Sequence, residues 1–436
     1  MKLPIQIADN NRTGLVIDDE AHLANLMEIA KDPISKLNLD TNPNLLIFPQ
    51  NLNEYGDKIG EQHVFEIKDN KLYTGNIMGF IGYRNTKVRI HSRFAQNDGN
   101  DYFLHYMLQK VFALNIFDLK FHADDESIFD FLIYLFPAFL KRAMRQGLFK
   151  EYQTRHYNDA NVRGRIDVNR HLRLNLPFAG KVAYSTREYA YDNHVTQLVR
   201  HTIEYIASHP YSGGILQNDE QTKDAVSLIR EATPSYSQNE RRRIINQNLR
   251  PVCHPYFSEY RNLQRLCIQI LRHEEMKYGR NDDEIYGVLF DGAWLWEEYL
   301  NTILKDCGFI HPQNKISTGC IYLFKGRTGP RYPDFFKKDF VLDAKYKSYG
   351  NTEVSGIDRD DLHQVITYMY RLRASRGGFV VPLKQNETTT KQKELDGYGG
   401  WLGVYGLRVE LPCSSYKDYI AQITQQEKQL TIEIKN

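Results

Sequence analysis

Arg331-Tyr-Pro-Asp-Phe-Phe-Lys-Lys-Asp-Phe-Val-Leu-Asp-Ala-Lys-Tyr346 reads as two short strands, Pro333 to Phe336 and Phe340 to Tyr346, reversed by Lys337-Lys338-Asp339. Side chains alternate along a strand, so Val341, Asp343 and Lys345 share one face and Phe340, Leu342, Ala344 and Tyr346 the other. Charged groups set among apolar neighbours need a counter-charge or a metal. The hairpin also brings Asp334 towards Asp343. Two adjacent carboxylates repel, and a hard divalent cation such as Mg²⁺ relieves that repulsion while taking oxygen ligands. Lys345, two residues on, points the same way and suits orienting a water or stabilising charge on phosphoryl oxygens. This is the pattern of metal-assisted phosphodiester hydrolysis. The plainer alternative is a solvated strand face carrying a surface ion pair, so the flanking segments must decide.

Upstream, Leu289 to Leu304 has helical spacing, with Leu295, Trp296, Tyr299, Leu300, Ile303 and Leu304 in one arc. Glu297 sits at the margin of that arc, either as a further metal ligand or as a boundary side chain reaching solvent; Glu298 points to water. Downstream, Asp360 to Leu372 forms a second amphipathic helix on which Gln364 and Tyr368, four apart, share a face. His363 reads as an ordinary surface histidine. Gly377-Gly-Phe-Val-Val-Pro382 then reads as a buried strand with a stop at the proline. The order is helix, hairpin, helix, strand.

Pro333-Asp334 with Asp343-Ala-Lys345 resembles the PD-(D/E)XK nuclease motif, and the element order is similar to the αβββαβ core of that superfamily. Gln364-X-X-X-Tyr368 resembles the element that follows the catalytic strands in RecB-like members, where it supports the active-site lysine and the DNA backbone. The resemblance implies Asp334 and Asp343 as Mg²⁺ ligands (Mn²⁺ substituting), with the Ala344 carbonyl as another oxygen. Glu297 would be an additional ligand or act through water. Lys345 would position and help deprotonate the attacking water, leaving a 5′-phosphate.

The 436 residues suffice for two or three domains with sizeable cores. Lys+Arg exceed Asp+Glu only by 56 to 54, so a surface for nucleic acid must be local. Five cysteines with no CxxC spacing argue for reduced thiols, a cytosolic setting and no structural zinc. No signal-like stretch opens the chain, and the longest apolar run, Ile128 to Leu140, is interrupted by Asp130 and Pro137, so no membrane is expected.

Residues 1–120 read as β-rich, with a helix over Ala21 to Asp32 and strands at Leu45–Phe48, His63–Ile67, Leu72–Ile77, Gly79–Tyr83 and Lys87–Arg93. Residues 121–284 read as mainly helical, led by a helix from Ser127 to Phe149. Within that region Arg163, Arg165, Arg170, His171 and Arg173 surround a glycine turn, and either hold phosphates or form a solvated face paired with Asp159, Asp167 and Glu188. No GxxxxGK[ST] occurs, so the chain binds no nucleotide through a P-loop.

Gly79-Phe-Ile-Gly-Tyr83, Val88-Arg-Ile-His-Ser-Arg-Phe94, Asn161-Val-Arg-Gly-Arg-Ile-Asp167, Tyr191 to Arg200 and Leu295-Trp-Glu-Glu-Tyr299 together resemble the McrC family, the nuclease subunits of 5-methylcytosine and LlaJI-type restriction systems. Ser92-Arg93 stands where many members have Pro-Lys. The resemblance spans about residues 75 to 385 and places the matching carboxylate at Glu297. It implies a bacterial or archaeal cytoplasmic endonuclease subunit acting on double-stranded DNA. A separate AAA+ GTPase ring would recognise the DNA and drive translocation. On this basis the chain is an α+β multidomain protein: a β-rich domain at 1–120 that docks with the ring, a helical linking domain at 121–284 and a PD-(D/E)XK nuclease domain at 285–436. A stand-alone repair nuclease and a non-catalytic adaptor of the ring are the alternatives.

Overall fold

The computed structural model describes residues 4–37, 42, 44–49, 61–96, 101–112, 125–208, 213–217, 219–278, 285–312, 319–347, 354–388, 392–397 and 399–435. The fold is α+β, with five separate sheets among these residues. The chain divides into two compact units, Met1–Ile128 with Asn281–Asn436, and Phe129–Arg280. The domain boundaries expected at 120/121 and 284/285 fall at residues outside the described set, and the segments expected as a separate N-terminal domain and a nuclease domain lie in one unit.

The first core of that unit is a five-stranded sheet in the order Ile5–Ala8, Thr86–His91, Ile77–Tyr83, Ile285–Asp291, Asn44–Phe48. Its two outer pairs are parallel and its inner pairs antiparallel. In Thr86–His91 the odd-even pattern is clear: Thr86, Val88 and Ile90 are buried, while Lys87, Arg89 and His91 reach the edge of solvent. Gly79 and Gly287 face each other's strands so closely that an added Cβ would run into the carbonyls of Val288 and Phe80. Both have positive φ, 127° and 151°, so glycine is needed on two counts. The helix Glu20–Ala30, capped by the Asp19 carboxylate on the amides of Ala21 and His22, lays Leu26 and Ile29 onto this core.

One expectation is corrected next to this sheet. Residues 289–291 are strand, not helix. Ile285–Asp291 is buried almost throughout, and a short, mostly apolar strand has no periodicity to set it apart from a buried helix turn. The helix starts at Gly292, where the Asp291 carboxylate accepts from Trp294 N at 2.7 Å, and runs to Leu304.

The second core is built on the sheet Phe335–Lys337, Phe340–Ala344, Arg376–Leu383, Trp401–Arg408, Lys393–Glu394. Its three middle strands are parallel. The helix Arg359–Leu372 makes the crossover from Phe340–Ala344 to Arg376–Leu383 and buries Val365, Tyr368 and Met369 against them. Pro382 does not stop its strand, which continues to Leu383. The neighbour Phe340–Ala344 has already ended opposite Val380, so Pro382 has an open side where a missing N–H costs little. Residues beyond 385, unassigned from sequence, supply the third parallel strand and the closing helix Tyr416–Lys435. The two cores meet where the helix Tyr102–Phe112 packs on Gly292–Leu304, with Phe103 edge-on to Trp296 (6.0 Å) and Tyr299 (6.2 Å).

The second unit was expected to be mainly helical. It also holds a three-stranded antiparallel sheet, Glu151–Asp159, Val182–Ala190 and Arg165–Ile166. Glu151–Asp159 buries almost nothing, so no apolar alternation announces it in the sequence. The long helix spans Asp125–Met144, ending five residues before Phe149. No helix among the described residues is long and apolar enough to cross a membrane.

Candidate active site

The hairpin forms, but with shorter strands than expected, Phe335–Lys337 and Phe340–Ala344: Phe335 pairs with Leu342, Phe336 with Val341 and Lys337, expected in the turn, with Phe340, and Asp339 takes the left-handed φ (72°) that closes the turn. Every residue from Phe340 to Ala344 is buried, so the strand is covered on both faces rather than on one. Asp343 is therefore only 1% exposed. The parallel crossover sets the C-terminal end of this strand beside the first turns of Arg359–Leu372, where open sheets of this kind bind ligands.

Five of the expected residues converge there. Asp334 Oδ2 accepts from the Ala344 amide at 2.7 Å, and the Asp334 carboxyl lies within hydrogen-bonding reach of Asp343. Lys345 Nζ stands 2.8 Å from Asp343 Oδ2 and donates to Gln364 Oε1 at 3.4 Å. Gln364 Nε2 donates in turn to Tyr368 Oη at 3.0 Å. Burial raises the Asp343 carboxyl above its usual range against the opposing pull of Lys345, with Asp361 adding to the rise. Burial alone would lower Lys345, but the carboxylates of Asp343, Asp334 and Asp361 outweigh it and hold the ammonium firmly charged. Tyr368 is raised by burial, although Gln364 opposes the shift.

Two acidic and basic partners went unnoticed in the sequence. Asp361 Oδ1 is 3.2 Å from Lys345 Nζ, and its Oδ2 accepts from Lys347 Nζ at 2.5 Å. Its signal was available: Asp361 lies three residues before Gln364 and so shares that helical face. His311 Nδ1 is 2.6 Å from the Asp334 carbonyl, and its ring stacks on Phe335 at 4.8 Å. No spacing rule ties it to the hairpin, which it meets through the isolated bridge of Ile310 with Phe336. His363 is exposed, as read from the sequence.

Glu297 is half-buried on Gly292–Leu304, whose Trp296 Nε1 donates to Val380 O at 3.2 Å. It does not join Asp334 and Asp343 in a ligand trio: among the described residues no group of three His, Cys, Asp or Glu side chains is disposed to hold a metal. The donors that do converge are hard oxygens. Asp343 Oδ2 is buried, and its close neighbour is the Lys345 ammonium at 2.8 Å. Asp334 and Asp343, with the Ala344 backbone bound alongside, thus fit a hard divalent cation completed by backbone oxygen and water.

The arginine cluster lies in the second unit. Arg163, Arg165 and Arg173 are exposed, and Arg163 lies over the Tyr157 ring at 5.8 Å. Arg170 is half-buried, donating to Tyr157 O at 3.3 Å, with Asp167 Oδ2 at 4.0 Å. Arg155 rather than one of these pairs with Glu188, at 3.7 Å. Residues 129–280 carry 23 Lys+Arg against 15 Asp+Glu, a net of +8 (23 − 15), which leaves −6 (33 − 39) for the remainder. The near-neutral total hides a strongly basic unit.

Over residues 72–382 the sequence matches the model of a family described as McrBC 5-methylcytosine restriction system component. No curated protein matches it. Among solved structures, a chain of the refined half-complex from a tetradecameric assembly of Thermococcus gammatolerans McrB AAA+ hexamers with bound McrC is similar. It has 17% identity and a TM-score of 0.50 over 97% of this chain and 99% of that one. A chain of the Thermococcus gammatolerans McrBC complex matches at 16% identity and a TM-score of 0.35, over 69% of this chain and 87% of that one. At such identity the first likeness concerns the fold alone.

Proposed function

The chain belongs to the McrBC 5-methylcytosine restriction system component family, and from that premise we propose that it is a DNA endonuclease subunit of PD-(D/E)XK type. It would cut double-stranded DNA in the cytoplasm, with Mg²⁺, when assembled on a GTP-hydrolysing AAA+ ring. The observation that carries this reading is the meeting of Asp334, Asp343 and Lys345 at one end of a parallel strand. The ring partner is proposed by analogy with the Thermococcus gammatolerans McrC, which is bound to McrB AAA+ hexamers. The basic unit at 129–280, with Arg163, Arg165, Arg170 and Arg173, offers polyanion-binding surface that the acidic remainder lacks.

Bound Mg²⁺ supplies Lewis acidity at the scissile phosphate and lowers the pKa of a coordinated water. Asp334 and Asp343 would hold it, with the Ala344 carbonyl as a further oxygen donor and Glu297 acting through water. Lys345, fixed as an ammonium by three carboxylates, stabilises charge developing on the phosphoryl oxygens. Its raised pKa favours that role over the proton abstraction also expected of it. Gln364 holds Nζ through Oε1, and Tyr368 holds Gln364.

The test is DNA cleavage by the chain reconstituted with its ring partner, GTP and Mg²⁺. Asp343→Ala should abolish cutting and leave assembly intact, and EDTA should do the same to the wild type. Undiminished cutting by Asp343→Ala would remove the catalytic role and leave an adaptor. Full cutting by the chain alone, without ring or GTP, would instead support a stand-alone repair nuclease.

A further inference from the structure

Tyr346 follows Lys345 directly, and alternation sends the two side chains to opposite sides of the backbone. Lys345 turns to the carboxylates. Tyr346 plunges into the N-terminal core: its Oη is 3.0 Å from Ser92 Oγ and 3.4 Å from Met78 Sδ, and its ring meets Phe94 edge-on at 5.6 Å. The Arg93 guanidinium covers the ring face at 4.8 Å. On another side the fit is so close that a Cβ on Gly292 would stand 2.8 Å from the ring. Tyr346 is 5% exposed.

The walls of this socket are themselves fixed. Arg93 donates from its amide and Nη2 to the fully buried Asp9 carboxylate, each at 2.5 Å, and from Nε at 3.0 Å; Nη2 also reaches Asn76 Oδ1 at 2.6 Å. The Asn76 carbonyl accepts from Gly292 N at 2.7 Å, at the start of the helix that carries Glu297. Ser92 N donates to the buried Asp101 at 2.6 Å. Such a buried charge pair is costly to form and strongly destabilising to break, so it specifies one geometry.

We propose that Tyr346 is a positioning residue, clamped by Ser92 and Arg93, that fixes the backbone at Lys345 and so the place of its ammonium. The strand ladder ends at Ala344, and beyond it the Lys345 amide donates to Val380 O at 3.0 Å. The Tyr346 socket is the next anchor along the chain. It ties the geometry of the site to the strand Thr86–His91, which leads directly into Ser92 and Arg93. This inference rests on the nuclease reading for its kinetic consequence, but not for the clamp itself.

The experiment compares wild type, Tyr346→Phe, Tyr346→Leu and Ser92→Ala in the full complex with ring, GTP and Mg²⁺. It reads single-turnover rate, KM for DNA, melting temperature and amide exchange over residues 340–347. Misplacing a catalytic group by an ångström costs about a hundred-fold, so Tyr346→Leu should lower the rate about a hundred-fold with KM within two-fold. Tyr346→Phe, which keeps the ring, should recover most of that, and Ser92→Ala should match Tyr346→Phe. Exchange at Lys345 should quicken in the same order. A wild-type rate in folded Tyr346→Leu would overturn the clamp, and if Tyr346→Leu fails to fold, exchange at Lys345 no faster in Tyr346→Phe and Ser92→Ala than in wild type would overturn it. A wild type that never cuts would defeat the nuclease reading, and the exchange data would then decide the clamp: faster exchange sustains it, equal exchange overturns it.

Discussion

Lys345 Nζ lies 3.2 Å from Asp361 Oδ1, so the ammonium is shared between a strand and the helix that crosses over it. Its other carboxylate, Asp343, is on its own strand at 2.8 Å. Asp361 also holds Lys347, which makes it the joint of a four-member charge cluster. Asp361→Asn should leave Lys345 tied to the helix only through Gln364 and slow single-turnover cleavage about ten-fold, with DNA affinity kept. An unaltered rate would show that Asp343 and Gln364 place the ammonium without Asp361.

Asp343 is held in a site hostile to its own charge, since burial raises its carboxyl despite Lys345. Asp343→Asn removes a buried carboxylate whose ionisation the fold resists. Cleavage should fall by at least about a thousand-fold while the melting temperature holds or rises, the trade expected where function sets a strained charge. A marked drop in melting temperature would show that the pair with Lys345 stabilises the fold.

The relay from Lys345 through Gln364 to Tyr368 predicts graded losses. Tyr368→Phe strips Gln364 Nε2 of its acceptor and should cost about 1 kcal/mol of stability by denaturant titration. Gln364→Leu removes the partner of both neighbours, and should slow cleavage more than Tyr368→Phe does. Equal rates for the two variants would sever the relay.

In the second unit, His201 is fully buried, its ring is tilted against that of Tyr236 at 4.7 Å, and among the described residues neither ring nitrogen has a hydrogen-bond partner. Burial, then the neighbouring Arg241 and Arg200, lower its pKa to about 4 from 6.5. The folded chain thus takes up this proton less readily than the unfolded one. The stability contribution is complete above pH 6.5 and is lost as pH falls towards 4. His201→Phe should flatten that part of the pH–stability curve by about 2 kcal/mol relative to wild type, measured by chemical denaturation. Parallel curves would exclude His201 as the source.

The site was readable because its parts are local: Asp334, Asp343 and Lys345 sit on one hairpin, and Gln364 and Tyr368 one helical turn apart. Period-two and period-3.6 rules place such residues without tertiary knowledge. Asp361 obeyed the same rule and was passed over among three neighbouring acids. His311 and the Ser92–Arg93 socket for Tyr346 depend on contacts across many residues, which no spacing encodes. The strand Glu151–Asp159 was missed because it buries little, and Ile285–Asp291 because it buries almost everything. The role of the last fifty residues was equally hidden, since a third parallel strand declares itself only beside the other two.

The inner strand Ile285–Asp291 joins Ile77–Tyr83 to Asn44–Phe48, yet is translated some two hundred residues after them, past the entire 129–280 insertion. Until it leaves the ribosome, two sticky β-edges stand open in the nascent polypeptide, a hazard for aggregation. The same late segment runs on into the helix before the Asp334–Lys345 hairpin. Completion of the amino-terminal sheet and arrival of the candidate site are therefore one event, and a stalled or shortened translation product has neither.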